Sequence, residues 1–144
     1  MPAILTGDDE IRGVLNKTKV IAVVGASPRP ERTSHGVMAR LQRRGYRTIP
    51  VNPTAAGQTI LGERVYASLK DVPVHVDMVD VFRRAEDTPP VAGDAVAIGA
   101  GMLWLQLGIS SDEAARIATE GGLDVVMDRC TAIEIDRLGT RPPS

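Results

Sequence analysis

Arg29, Arg32, Thr33 and Ser34 crowd into one short loop after Gly25-Ala26-Ser27, and together they could hold an anion. The loop follows an apolar run, Val20 to Ala26 (VIAVVGA), and precedes a stretch with helical spacing. A buried strand, a tight turn and a helix start in that order aim backbone N–H groups and the positive end of a helix dipole at one point. Guanidinium groups and hydroxyls beside that point suit a pyrophosphate or a ribose phosphate. The chemistry indicated is the binding of a nucleotide-bearing ligand. The plainer readings of the same residues are a simple turn at Gly25 and a solvated loop after it.

Further candidates stand after the other apolar runs. Val51-Asn52-Pro53 lacks the carboxylate that NAD-binding sites usually place at the end of the second strand, which disfavours an NAD dehydrogenase. Its proline-flanked backbone could line a flat adenine. Phe82 and Arg83 follow a third run, where a ring and a guanidinium could pack on a ligand and hold a phosphate. The alternatives are a core phenylalanine and a solvated arginine pair. Trp104 reads as packing. Gln106 is polar within an apolar run and needs a partner if buried. Cys130 follows Arg129 at a helix start, a setting for thiol exchange near a ligand; the other reading is a small buried hydrophobe. His35 and His75 have no ligand-type neighbours at metal spacing, so no metal is expected.

These residues need elements to place them. The spacing predicts helices over 8–16, 34–44, 88–99, 110–120 and 131–137, with Ser34 as one N-cap and Ser110 with Glu113 as a capping pair. Strands are predicted over 20–24, 47–51, 76–81, 102–105 and 123–127, with a looped segment over 54–71. Strands that are continuous apolar runs alternating with helices predict a doubly wound parallel five-stranded sheet in an α/β domain. Its ligand crevice lies at the carboxyl ends of the strands.

The chain has 144 residues, a net charge of −1 and a single cysteine. One domain over 1–138 is expected, followed by a flexible tail over 139–144. Near-neutral charge and few aromatics argue against nucleic acid. No apolar run is long enough to span a membrane, and no signal-peptide pattern opens the chain, so a cytoplasmic location is expected. A homodimer is the general expectation for assembly.

The runs VVGASPRPERTSHGV, GYRTIPVNP, ILGERVYASL, VDMVDVFRR, WLQLGI and VVMDRCTAIE, in that order, carry a resemblance. The chain resembles the small stand-alone CoA-binding domain proteins of bacteria and archaea, and through them the CoA-binding domain of the succinyl-CoA synthetase alpha subunit. The resemblance covers about residues 8–138. It implies a Rossmann-like fold and coenzyme A as ligand. It puts the CoA phosphates against Gly25, Ala26, Ser27 and the loop from Arg29 through Arg32 to Ser34, the adenine near Asn52 and Pro53, and the pantetheine arm along Phe82, Arg83 and Gln106. Many relatives have proline before the loop serine, where this chain has Thr33. The synthetase's phosphohistidine domain has no counterpart here, and His35 and His75 match no such motif. The expectation is a non-catalytic CoA or acyl-CoA binding protein. The alternatives are an enzyme or ligase component acting on a CoA thioester through Cys130, and an NAD-binding regulatory module. A mixed disulfide between Cys130 and the CoA thiol is a related possibility.

Overall fold

The computed structural model describes residues 2–144. Its centre is a five-stranded parallel sheet. The strands are β1 (Val20–Val24), β2 (Arg47–Val51), β5 (Met78–Val81), β6 (Met102–Leu105) and β7 (Asp124–Val126), in the order β2-β1-β5-β6-β7. A separate hairpin, β3 (Thr59–Ile60) and β4 (Glu63–Arg64), occupies the expected loop over 54–71. Leu61 and Gly62 both have positive φ at its turn, the geometry that matches strand twist in a two-residue hairpin.

The strands are aliphatic because both faces of the sheet are covered. Ile21, Val23, Met78, Met102 and Trp104 point to one side, where α1 (Asp8–Lys17), α2 (Thr33–Arg43) and α5 (Thr131–Leu138) pack. Ala22, Val24, Val79, Val81, Leu103 and Leu105 point to the other, under α3 (Thr88–Ala97) and α4 (Asp112–Glu120). Alanines on the inward stripe of α3 and α4 (Ala92, Ala95, Ala114, Ala118) let those helices lie close to the sheet and to each other. This is the Rossmann-like, doubly wound α/β arrangement the sequence predicts. Chain direction across the sheet reverses between β1 and β5, so the switch point lies at their carboxyl ends.

Several expected boundaries move, each for a local reason. The third main strand starts at Met78 rather than at residue 76, because the Asp77 carboxylate accepts the N–H groups of Lys19 and Val20 and caps the entry to β1. β7 is trimmed at both ends. Leu123 N–H returns to the Ala118 carbonyl, and Asp128 turns into the left-handed region at φ 58°. Ser111, not Ser110, caps α4, its hydroxyl accepting the Ala114 N–H at 3.1 Å. Arg32 holds the N-cap position of α2, and Ser34 lies inside the helix.

The segment after Leu138 has no regular structure, yet its first residues are tied down. Thr140 is buried beside the Tyr46 hydroxyl, which donates to the Leu15 carbonyl at 2.8 Å.

Candidate functional site

The crevice begins at Gly25. Its N–H donates to the Val51 carbonyl, and one strand over the Phe82 N–H donates to the Val24 carbonyl. Gly25 has φ 88°, and a Cβ there would lie 2.5 Å from the Phe82 carbonyl oxygen. Only glycine lets the three strand ends meet this closely and still turn the chain outward.

The loop beyond Gly25 is held by its own polar groups. The Ser27 hydroxyl accepts the Arg29 N–H at 3.1 Å, and the Ser34 hydroxyl accepts the Ser27 N–H at 3.1 Å. Ser34 therefore ties the loop to the first turn of α2 instead of capping the helix. Asn52 does similar work from β2. Its amide donates to the Ala26 carbonyl at 2.8 Å, and its side-chain oxygen accepts from Thr54, both backbone and hydroxyl. Asn52 thus locks two loops together and leaves its backbone and flank to face the crevice.

These loops, with the carboxyl ends of β5 and β6 and the start of α5, wall a cavity of about 1190 Å³. Ten of the residues singled out from sequence line it: Gly25, Ser27, Arg29, Arg32, Ser34, Asn52, Phe82, Arg83, Gln106 and Cys130. Two do not. Ala26 is buried beneath the loop, and Pro53 lines a smaller hollow of about 190 Å³ on the far side of Arg83. Thr33 also lines the main cavity.

The electrostatics are one-sided. Five arginines line the cavity (29, 32, 40, 83 and 84) and no carboxylate does. Arg40 is paired with Asp136, and Arg84 with Glu86 and Asp87. Among the described residues no carboxylate pairs with Arg29, Arg32 or Arg83. Three guanidinium groups on the cavity wall thus lack a carboxylate partner, two of them at the entry to α2, an arrangement suited to a polyanion.

The floor holds a group that sequence reasoning missed. Asp80 lies within β5, fully buried, and its carboxylate accepts from Gln106 Nε2 at 2.5 Å and from the Thr131 hydroxyl at 2.9 Å. Gln106 Nε2 also donates to Thr131 at 2.9 Å, closing a three-membered ring of side chains. Burial pushes the Asp80 carboxyl up to about 7, against the opposing effect of the Gln106 and Thr131 hydrogen bonds. The available signal was an aspartate inside an otherwise apolar run. Gln106 does find its partner, as its burial required.

Cys130 is buried in the core and also lines the cavity wall. The Arg129 guanidinium, however, points away, to Glu134 at 2.7 Å and to the Thr6 carbonyl at 2.8 Å. Trp104 is fully buried and donates to the Arg129 carbonyl at 2.8 Å, which fixes the approach to Cys130. Leu107, Ile109 and Ile133 form an apolar lip on this side that the sequence did not single out. Leu107 is 63% and Ile133 47% exposed, unusual for large aliphatics. The cavity thus runs from a polar side at Asn52, Thr54 and Gln58, through a cationic middle, to an apolar side at α5. Among the described residues no three His, Cys, Asp or Glu side chains converge as a metal site, and no helix is long and apolar enough to cross a membrane.

A strand-end cavity of this kind, on this fold, is characteristic of nucleotide-binding α/β domains. The chain belongs to the CoA-binding domain family, whose sequence model matches residues 19–136. It is 43% identical over 124 residues to the uncharacterized protein YneT of Bacillus subtilis, covering 86% of this chain and 90% of that one. A solved structure from Thermus thermophilus is 40% identical and superposes with a TM-score of 0.88, over 92% of this chain and 99% of the other. The dinucleotide-forming acetyl-coenzyme A synthetase 1 of Candidatus Korarchaeum cryptofilum is 26% identical with a TM-score of 0.68. That match covers 77% of this chain and 26% of the synthetase chain.

Proposed function

We propose that this protein binds coenzyme A or an acyl-CoA without transforming it. The observation that carries the reading is the trio Arg29, Arg32 and Arg83, free of carboxylate partners, around a cavity wall that contains no acid. In this reading the diphosphate lies between Gly25, Ser27 and the first turn of α2, held by Arg29 and Arg32. The adenosine lies toward Asn52, Thr54 and Gln58. The pantetheine arm passes Phe82 and Arg83 toward Gln106, and its thiol end reaches the side of Cys130 and the Leu107–Ile133 lip. The polarity of the cavity from one side to the other follows that of the ligand. Guanidinium, amide and hydroxyl groups of this kind grip and orient, and family membership supports CoA over other nucleotides. The protein acts in the cytoplasm as a carrier, buffer or sensor of the cofactor.

Thermal shift and calorimetry with CoA, acetyl-CoA, NAD and ATP test this. Stabilisation by CoA or acetyl-CoA and none by NAD is expected. Stabilisation by NAD alone, or by none of the four, overturns the reading. Native mass spectrometry of the purified protein reports any co-purified ligand together with the assembly state, and so tests a homodimer as well.

A further inference from the structure

Gln106 is 96% buried by area, the complement of its 4% exposure, and both hydrogens of its side-chain amide are committed to Asp80 and Thr131. Its carbonyl oxygen, Oε1, accepts from no group of the protein. Yet no buried side-chain nitrogen or oxygen among the described residues lacks a partner, so Oε1 must reach the cavity that Gln106 lines. The cavity floor therefore presents a hydrogen-bond acceptor. Its orientation is dictated from beneath, because an ionised Asp80 can only accept and so turns the NH₂ of Gln106 inward.

A proton on Asp80 Oδ1 would meet that NH₂ head on. The ring closes again if the Gln106 amide rotates by half a turn. Oε1 then accepts the Asp80 proton, Thr131 still donates to the other carboxyl oxygen, and the NH₂ faces the cavity. The floor changes from acceptor to donor with no movement of the backbone.

We propose that Gln106 accepts a hydrogen bond from an amide N–H of the ligand's pantetheine arm, and that Asp80, with Thr131, is the positioning residue that holds it in the accepting sense. This rests on the CoA reading above and adds to it a specificity determinant for the arm. A ligand offering an N–H to the floor is favoured when Asp80 is ionised, and one offering only a carbonyl is favoured when it is protonated.

The surroundings isolate Asp80 from other charges. In the sheet it is flanked by Val23 of β1 and Trp104 of β6. α2 turns Val37, Met38 and Leu41 to this face, α1 turns Ile11 and Leu15, and α5 turns Thr131 and Ile135. Most charged groups of those helices are paired elsewhere, Asp8 with Arg137, Asp9 with Arg12, Arg40 with Asp136, and Glu134 with Arg129 and Arg137, while Glu10, Lys17 and Arg43 are exposed. His35 is half-buried on the flank of α2 and Cys130 precedes α5. No charged side chain acts on Asp80. Its elevated range near neutrality comes from burial.

The test is calorimetry with dephospho-coenzyme A, which lacks the 3′-phosphate that would itself titrate near neutrality. Wild-type affinity should fall about tenfold between about pH 8 and pH 5.5, the worth of one hydrogen bond. Asp80→Asn, whose amide holds Gln106 in the rotated sense, should bind at the weaker level at both pH values. Gln106→Leu should also lose the pH dependence. Flat wild-type affinity, or an unchanged profile in Asp80→Asn, overturns the inference. If either variant fails to fold, the side-chain amide signals of Gln106 in the wild-type NMR spectrum decide. They should change contacts with Thr131 as Asp80 titrates, and constancy through that range overturns the inference. A wild type that binds neither CoA nor dephospho-CoA at either pH overturns the ligand reading instead.

Discussion

Replacing Asp80 with Asn should make the protein more stable at alkaline pH, although it removes a hydrogen-bonded acid from the core. The folded carboxyl is raised from its ordinary 3.8 to about 7 by burial. The folded state therefore holds this proton more tightly than the unfolded chain. The stability linked to it is fully present below about pH 4 and drains away as pH rises toward about 7. A difference of about three pH units corresponds to roughly 4 kcal/mol. That is an upper bound, since water entering from the cavity would solvate the anion. Asn is nearly isosteric, is neutral throughout, and can satisfy both Gln106 and Thr131. Urea unfolding of both proteins at about pH 5 and about pH 8 measures the effect. The variant should exceed wild type by about 1–4 kcal/mol at the higher pH, and the gap should shrink by roughly half or more at the lower. A pH-independent gap, or a variant weaker than wild type at about pH 8, refutes the reasoning. Carboxylates shared by both proteins cancel in the difference.

Four other outcomes follow from the geometry. Arg29→Ala, Arg32→Ala and Arg83→Ala should each weaken CoA binding by about tenfold or more, the scale of a charge-assisted hydrogen bond, and should flatten its salt dependence in calorimetry. Gly25→Ala should cost about 2–4 kcal/mol in denaturant unfolding and depress CoA affinity, because positive φ and the Phe82 carbonyl both oppose a Cβ. Trp104→Phe should cost about 1–3 kcal/mol by orphaning the part-buried Arg129 carbonyl, read from the same unfolding curves. Glu134 is held below the usual carboxylate range first by its hydrogen bond to Arg137 and also by Arg129, so its contribution is present at neutral pH and lost as pH falls. Glu134→Gln should accordingly destabilise at neutral pH and converge with wild type in acid, as thermal melts will report.

The alternation of strand and helix was legible because each strand is buried on both faces and so reads as an unbroken aliphatic run. The cationic loop was legible because its parts are local: Gly25, Ser27, Arg29, Arg32 and Ser34 lie within one turn and one helix start. What stayed hidden depends on partners distant in sequence. Asp80 meets Gln106 and Thr131 across separations of 26 and 51 residues, and nothing near Asp80 announces them. The apolar lip was invisible for the opposite reason. Leu107 and Ile133 have the residue types of core positions, and only their exposure makes them unusual. The choice between Ser110 and Ser111 as a cap is a one-residue ambiguity of the kind that helix ends commonly carry. The short hairpin at Leu61-Gly62 escaped because its strands are two residues each, too brief for periodicity to show.

Each outer rim of the main sheet is bridged at one residue. Ile4 forms a single bridge to Val125 beside β7, and Tyr66 forms one to Val51 beside β2. An exposed rim is where a strand from another chain would dock and extend the pleat. Here irregular segments of the same chain occupy part of each margin, at Val125 of β7 and at Val51 of β2. The other exposed feature a partner would meet is the mouth of the crevice, where Leu107 and Ile133 stand out. Any complex formed there would sense directly whether the crevice is filled.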